Sequence, residues 1–136
     1  MEKFKVLIVD DELDFLETMV KRIRARNIEV SGVESGYLAL EALDSSSPDV
    51  IILDLMMPGL DGIETLREIK KKKPLTEVIM LTGKASVDSG IQGMQLGAFD
   101  YLMKPVALEE LLDKVRQAYE RKLIQEGLGS QDRGGL

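Results

Sequence analysis

Residues 6–12 read VLIVDDE, in which four apolar residues lead directly into three carboxylates. A short, nearly continuous run rich in Val and Ile is typical of a parallel strand that is covered on both faces. Like charges 4 Å apart repel by roughly 4 kcal/mol at an effective dielectric constant near 20. The stretch therefore predicts that the three acidic side chains diverge or that a positive group lies beside them.

Further short apolar runs follow, and segments with apolar residues at helical spacing separate them. The runs lie at residues 6–9, 28–33, 50–53, 78–81 and 101–103. Five strands that alternate with five helices predict an α/β fold. Its sheet is expected to be parallel, five-stranded and doubly wound, with helices on both faces.

The composition excludes several classes of function. The net charge of −6 argues against binding nucleic acid, which needs a basic face. The chain has no Cys and no His, so it cannot form a disulfide or a zinc site of the usual kind, and it lacks a Cys nucleophile and a His base. Any metal is expected to be a hard cation bound by oxygen. Without a signal-peptide pattern or a membrane-spanning run, the chain is expected to be cytoplasmic.

The length of 136 residues fits one domain, which we expect to span residues 1–124. The last stretch, 127–136, reads GLGSQDRGGL and contains four glycines and little apolar content. Such a composition predicts that residues 125–136 form a flexible tail or linker.

Polar residues follow four of the predicted strands. Asp10 and Asp11 follow the first strand, Asp54 the third, Thr82 the fourth and Lys104 the fifth. Ligands of such sheets bind outside the carboxyl ends of the strands, at the point where the strand order reverses. The sequence therefore predicts one pocket with three carboxylates, a hydroxyl and an amine.

This set of groups suits phosphoryl chemistry. Carboxylates without softer ligands favour Mg²⁺, and a protonated lysine pairs with a bound anion. Aspartate is a known covalent acceptor of phosphoryl groups, and the transfer depends mostly on positioning and electrostatics.

The residues and their surroundings resemble the receiver domain of two-component response regulators. The resemblance rests on the pair Asp10–Asp11, on Asp54 in IILDLMMPGLDGIE, on Thr82 in IMLTG and on Lys104 in DYLMKP. It covers roughly residues 3–124 and implies a flavodoxin-like sheet with strand order 2-1-3-4-5.

The resemblance also implies roles at the metal site. Asp54 is expected to be the phosphorylated nucleophile. Asp11, Asp54 and the backbone carbonyl of Met56 are expected to bind Mg²⁺ directly, whereas Asp10 is expected to act mainly through metal-bound water.

Further implied roles concern the phosphoryl group and the switch. Lys104 is expected to pair with phosphoryl oxygens, and a cis peptide bond before Pro105 is expected to aim it. Thr82 is expected to shift towards the phosphoryl group, and Tyr101 to turn inward behind it. The sequence alone does not distinguish a switch tyrosine from one that only packs in the core.

The implied partners are a histidine kinase or a histidine phosphotransfer protein as donor and a downstream effector protein or domain as receiver of the signal. Because the chain lacks histidine, the donor must be another molecule or a small acyl phosphate. The surface around the fourth helix, fifth strand and fifth helix is expected to be read by the effector, and a phosphorylation-linked dimer is allowed. Neither nucleic acid nor membrane is an expected partner, and no catalysis is expected beyond the domain's own phosphorylation and autodephosphorylation.

Two alternatives stay open at this point. One is a Mg²⁺-dependent phosphohydrolase with an aspartyl nucleophile, although such enzymes usually carry an acid two residues after it, where this chain has Met56. The other is an interaction module that takes no phosphate. Met56 and Lys84 occupy the positions thought to tune phosphoryl lifetime in receivers, and neither would obviously orient water, so we expect a long-lived aspartyl phosphate.

Two charged features are ambiguous. Glu12 is expected to begin the first helix or to assist at the metal in a secondary way. The lysines at residues 70–73 are expected to neutralise a helix end, with a binding role as the alternative.

Overall fold

The computed structural model describes residues 4–57, 61–83 and 87–133, in which five strands alternate with five helices. The strands are β1 (Lys5–Val9), β2 (Glu29–Val33), β3 (Val50–Leu53), β4 (Glu77–Thr82) and β5 (Asp100–Met103). The helices are α1 (Leu13–Arg24), α2 (Gly36–Ser46), α3 (Gly62–Lys72), α4 (Val87–Gln95) and α5 (Leu108–Arg133). The predicted α/β fold is confirmed.

All strands of the sheet run parallel, in the order β2-β1-β3-β4-β5. The order confirms the one that the family resemblance implies. Because β1 and β3 are neighbours in register, with Val9 opposite Leu53, the residues that follow these strands emerge side by side.

The core has two halves, one on each face of the sheet. On β1, Val6 and Ile8 pack with α1 and α5, whereas Leu7 and Val9 pack with α2 and α3. Successive side chains of a strand point to opposite faces, so a strand covered on both sides needs apolar residues at every position. This arrangement explains the continuous run at the start of the chain.

Helix α5 is longer than the sequence predicts. It continues to Arg133, so residues 125–133, which their composition predicts to be flexible, are helical in the structure. Residues 120–126 are good helix formers, and a helix that has formed gains one hydrogen bond for each added residue. A domain boundary near residue 124 stays a prediction. Among the described residues, no helix is long and apolar enough to cross a membrane.

Candidate functional site

The turn after β1 places Asp10 inside the site. Its amide donates to the Val33 carbonyl at 3.1 Å and so extends the ladder with β2. The side chain is buried, and its Oδ1 accepts a hydrogen bond from the Glu12 amide at 2.9 Å. This local bond closes the turn that leads into α1, whereas Asp11 is exposed.

The residue after β3 is Asp54, whose carboxylate is also buried. Its amide donates to the Val9 carbonyl at 2.9 Å, and its Oδ1 accepts from the Met56 amide at 3.1 Å. The carboxylate therefore has a fixed orientation beside the Asp10 turn.

The start of α3 supports the backbone of Asp54. Asp61 is the N-cap of this helix and accepts from the Glu64 amide at 2.9 Å. A Cβ at Gly62 would lie 2.3 Å from the Cα of Leu55 and 2.5 Å from the carbonyl oxygen of Asp54. Only glycine allows α3 to approach the residues that follow β3 this closely.

Thr82 and Lys104 complete the site from β4 and β5. Thr82 is the last residue of β4, and its buried hydroxyl acts to lower the pKa of Asp54. The Lys104 amide donates to the Thr82 carbonyl at 3.0 Å. The peptide bond between Lys104 and Pro105 is cis, as the resemblance implies.

The ammonium of Lys104 has three neighbours. Its Nζ lies 2.7 Å from Oδ2 of Asp10, 2.8 Å from Oε1 of Glu12 and 4.0 Å from the ring centroid of Phe15. Burial alone would lower the pKa of Lys104, but the hydrogen bonds to the two carboxylates outweigh it and raise the pKa. The same lysine lowers the pKa of Glu12.

Three carboxylates converge in front of this lysine. One oxygen from each of Asp10, Glu12 and Asp54 lies within 4.8 Å of the other two. Burial raises the pKa of Asp54, and the Asp10 charge raises it further. Together they outweigh the lowering by the Met56 amide, the Lys104 charge and the Thr82 hydroxyl. One ammonium against three carboxylates leaves negative charge in a site with oxygen donors only, and this donor set fits a hard divalent cation such as Mg²⁺.

The structure therefore brings the residues predicted for the site together, except for Asp11, and it adds Glu12. Asp10, Asp54, Thr82 and Lys104 share the site, whereas the exposed Asp11 is outside the group of converging carboxylates. Glu12 is the addition, because the sequence suggests mainly that it begins α1. It is indeed the N-cap of α1, but its side chain forms no capping bond and reaches Lys104 instead.

A second feature lies between α4 and β5, where a cavity of about 630 Å³ opens to the surface. Tyr101 is half-buried beside it, and its ring faces Gly90 of α4. Much of the remaining lining is exposed and apolar, from Val87, Ile91, Met94 and Met103. Of the two residues expected to tune phosphoryl lifetime, Met56 is exposed, whereas Lys84 lies outside the described residues.

Comparison with known proteins agrees with this geometry. The family model of the response regulator receiver domain matches residues 6–116. This chain belongs to that family. The receiver domain is 35% identical over 125 residues to the response regulator MprA of Mycolicibacterium vanbaalenii, with 92% of the chain and 54% of that protein covered. It is also 35% identical over 118 residues to the DNA-binding transcriptional regulator NtrC of Escherichia coli K12, with 87% of the chain and 25% of that protein covered.

Solved structures give the same result. A response regulator receiver domain protein from Clostridium thermocellum is 37% identical, with a TM-score of 0.84 and coverage of 90% of this chain and 98% of that one. A CheY-like receiver domain protein from Methanospirillum hungatei is 26% identical, with a TM-score of 0.87 and coverage of 91% and 99%. The receiver domain thus spans about half of MprA and a quarter of NtrC, but nearly all of these two solved chains.

Proposed function

We propose that this receiver domain accepts a phosphoryl group on Asp54 from the phosphohistidine of a histidine kinase or phosphotransfer protein, in the cytoplasm and with Mg²⁺. The observation that carries the proposal is the buried Asp54 carboxylate, which the Met56 amide orients among two further carboxylates, a hydroxyl and an ammonium. A group held in this way is positioned for in-line attack on phosphorus.

In the proposed step an oxygen of Asp54 forms a bond to phosphorus while the phosphorus–nitrogen bond of the donor histidine breaks. The electron pair of that bond stays with the histidine nitrogen. Lys104 would then leave its carboxylates for a phosphoryl oxygen, and Thr82 would hydrogen-bond another. Asp54, the carboxylates after β1 and the Met56 carbonyl would hold Mg²⁺, which supplies neutralising charge when bound.

The output would be a change of surface. A shift of Thr82 towards the phosphoryl group would vacate space that Tyr101 can enter, which alters the apolar cavity between α4 and β5. An effector protein or domain that binds one form better would shift the population between them. A dimer formed through this surface is a further option, and we expect neither nucleic acid nor a membrane to be bound directly.

The test is mass spectrometry of the chain after incubation with acetyl phosphate. We expect one added phosphoryl group on Asp54 with Mg²⁺ and none with a chelator. Absence of labelling with Mg²⁺ would contradict the proposal and favour an interaction module that takes no phosphate, and steady turnover of a phosphomonoester would favour a hydrolase.

Phosphoryl lifetime gives a first quantitative prediction. The double substitution Met56→Asn with Lys84→Glu is expected to speed autodephosphorylation, because an amide and a carboxylate at these positions can orient the attacking water. The wild type has a thioether at residue 56, which cannot do this as well. Decay of purified phosphoprotein after removal of the donor measures the effect, and equal decay rates in both proteins would contradict the prediction.

Asp11 gives a second prediction, which separates metal binding from folding. Asp11→Ala is expected to abolish Mg²⁺-dependent phosphorylation, because the family resemblance implies that Asp11 binds the metal directly. Its exposed side chain makes stability insensitive to the change. Labelling by acetyl phosphate and thermal unfolding test both parts, and a clear loss of stability would count against this assignment.

A further inference from the structure

Glu12 occupies the N-cap position of α1 without acting as a capping side chain. Short side chains such as Ser, Thr, Asp and Asn are the usual N-caps, because their oxygen reaches the free amides of the first turn. The longer Glu12 side chain forms no such bond, and its Oε1 lies 2.8 Å from Nζ of Lys104. The contact joins residues 92 positions apart in sequence and spans the mouth of the site.

The lysine is held on three sides. Asp10 and Glu12 accept hydrogen bonds from its ammonium, and the ring of Phe15 lies beneath it at 4.0 Å. Among the described residues, the ion pairs of this ammonium are with Asp10 and Glu12, and Asp54 is not one of its partners. Lys104 is therefore held by the residues after β1, while the chemistry proposed above needs it at the acceptor.

The two carboxylates that hold Lys104 are not equivalent. Asp10 is 2% exposed and forms part of the β1–α1 turn, whereas the Glu12 side chain is 65% exposed. An exposed carboxylate is well solvated and exchanges partners at little cost. A carboxylate oxygen of Glu12 also lies within 4.8 Å of oxygens of Asp10 and Asp54, so the Glu12 side chain can also face a cation in the site.

We propose that Glu12 is a positioning residue that holds Lys104 away from the acceptor carboxylate and releases it when a cation or phosphoryl group enters. The inference rests on the proposed function of Asp54 and goes beyond it. In this proposal Glu12, which is exposed and has no catalytic role implied by the family resemblance, slows phosphorylation.

The first test uses the metal-free protein and needs no phosphorylation. In the wild type, the Lys104 ammonium should give a slowly exchanging ¹⁵N-detected NMR signal, assigned by its absence in Lys104→Arg. Glu12→Gln keeps the side-chain length and removes the charge, and the signal should weaken or vanish. Asp14→Asn is the matched control, because it removes one carboxylate from the first turn of α1. The Lys104 signal should persist there, and an unchanged signal in Glu12→Gln would overturn the proposal.

The second test measures the rate of phosphorylation by acetyl phosphate, at Mg²⁺ concentrations shown to saturate each variant by titration with Mg²⁺ alone. Glu12→Gln should be faster by about two- to fivefold, the range expected when one exposed ion pair is removed. Asp14→Asn should stay near the wild-type rate. A slower or unchanged rate in a Glu12→Gln protein that melts like the wild type would overturn the proposal. If the wild type itself takes no phosphoryl group, the proposed function fails, and the NMR test still decides the role of Glu12.

Discussion

Asp54→Asn is expected to abolish phosphorylation by acetyl phosphate and, in metal-free buffer, to leave a more stable protein. The amide cannot attack phosphorus, yet it has nearly the same shape and can still accept the hydrogen bond from the Met56 amide. Phosphate-affinity electrophoresis and intact-mass measurements test the loss of labelling. The chain contains no Trp, so intrinsic tryptophan fluorescence cannot report the reaction.

The gain in stability follows from the sign of the pKa shift. Burial raises the pKa of Asp54, so folding favours the protonated acid. A raised pKa contributes stability that is present below the usual pKa of the carboxyl and is lost as the pH rises through the raised value. At neutral pH the ionised Asp54 therefore destabilises the metal-free fold, and asparagine removes this cost.

With Mg²⁺ bound, the wild type should be more stable than Asp54→Asn. A cation bound by the wild-type carboxylates would stabilise the folded form by mass action, and Asp54→Asn would remove one of the proposed ligands. Thermal unfolding is measured with a chelator and with Mg²⁺. Mg²⁺ should raise the melting temperature of the wild type more than that of Asp54→Asn. Asp44→Asn makes the same chemical change at an exposed carboxylate and should behave like the wild type in both buffers. Undiminished labelling of Asp54→Asn would contradict Asp54 as the acceptor.

The sequence predicts the sheet and the convergence of the site because both depend on local pattern and topology. The predicted strand at residues 50–53 coincides with β3, whose four side chains are all buried. Once the strand order is known, Asp10, Asp54, Thr82 and Lys104 must meet at one edge. The topology of the sheet is therefore the main reason why these four residues lie together.

Contacts that depend on side-chain reach are not predictable in the same way. The side chain of Glu12 could cap α1, face a metal or bind Lys104, and nothing in VLIVDDE selects one of these. The lysines that end α3 are equally ambiguous in sequence. In the structure, Lys70 donates to the carbonyls of Pro74 and Thr76 at 2.9 Å, so it binds the turn that precedes β4. That contact favours a structural role for Lys70.

The sequence does not predict the ion pair between Glu77 and Arg121, because the two residues lie 44 positions apart. Glu77 begins β4 at the end of the sheet opposite the proposed phosphorylation site, and its side chain is 1% exposed. Arg121 of α5 donates to both of its carboxylate oxygens, through Nε and through Nη2 at 2.7 Å, and lies over the ring of Phe99. Lys70 is a second, weaker partner at 3.5 Å.

Removing Arg121 is expected to lower the free energy of unfolding far more than removing the charge of Glu77. In Arg121→Met, Lys70 is the remaining ion-pair partner of the buried carboxylate among the residues that the structure describes. Loss of one partner from a fully buried pair typically lowers the free energy of unfolding by roughly 3–5 kcal/mol. Because the Arg121 side chain is 41% exposed, water can partly replace it, and we expect a loss of about 2–3 kcal/mol in the free energy of unfolding. In Glu77→Gln the arginine can turn into solvent, so about 1 kcal/mol is expected.

Urea unfolding of both variants tests this asymmetry, with Lys71→Met as the control. Lys71 of α3 pairs with Glu68 at 3.5 Å in an exposed i, i+3 contact, so its removal should lower the free energy of unfolding by about 0.5 kcal/mol or less. Equal losses in Arg121→Met and Glu77→Gln would mean that solvent reaches Glu77 when the arginine is gone. A larger loss in Arg121→Met would instead show that the guanidinium keeps a charge buried at the start of β4, which ties α5 to the end of the sheet farthest from Asp54.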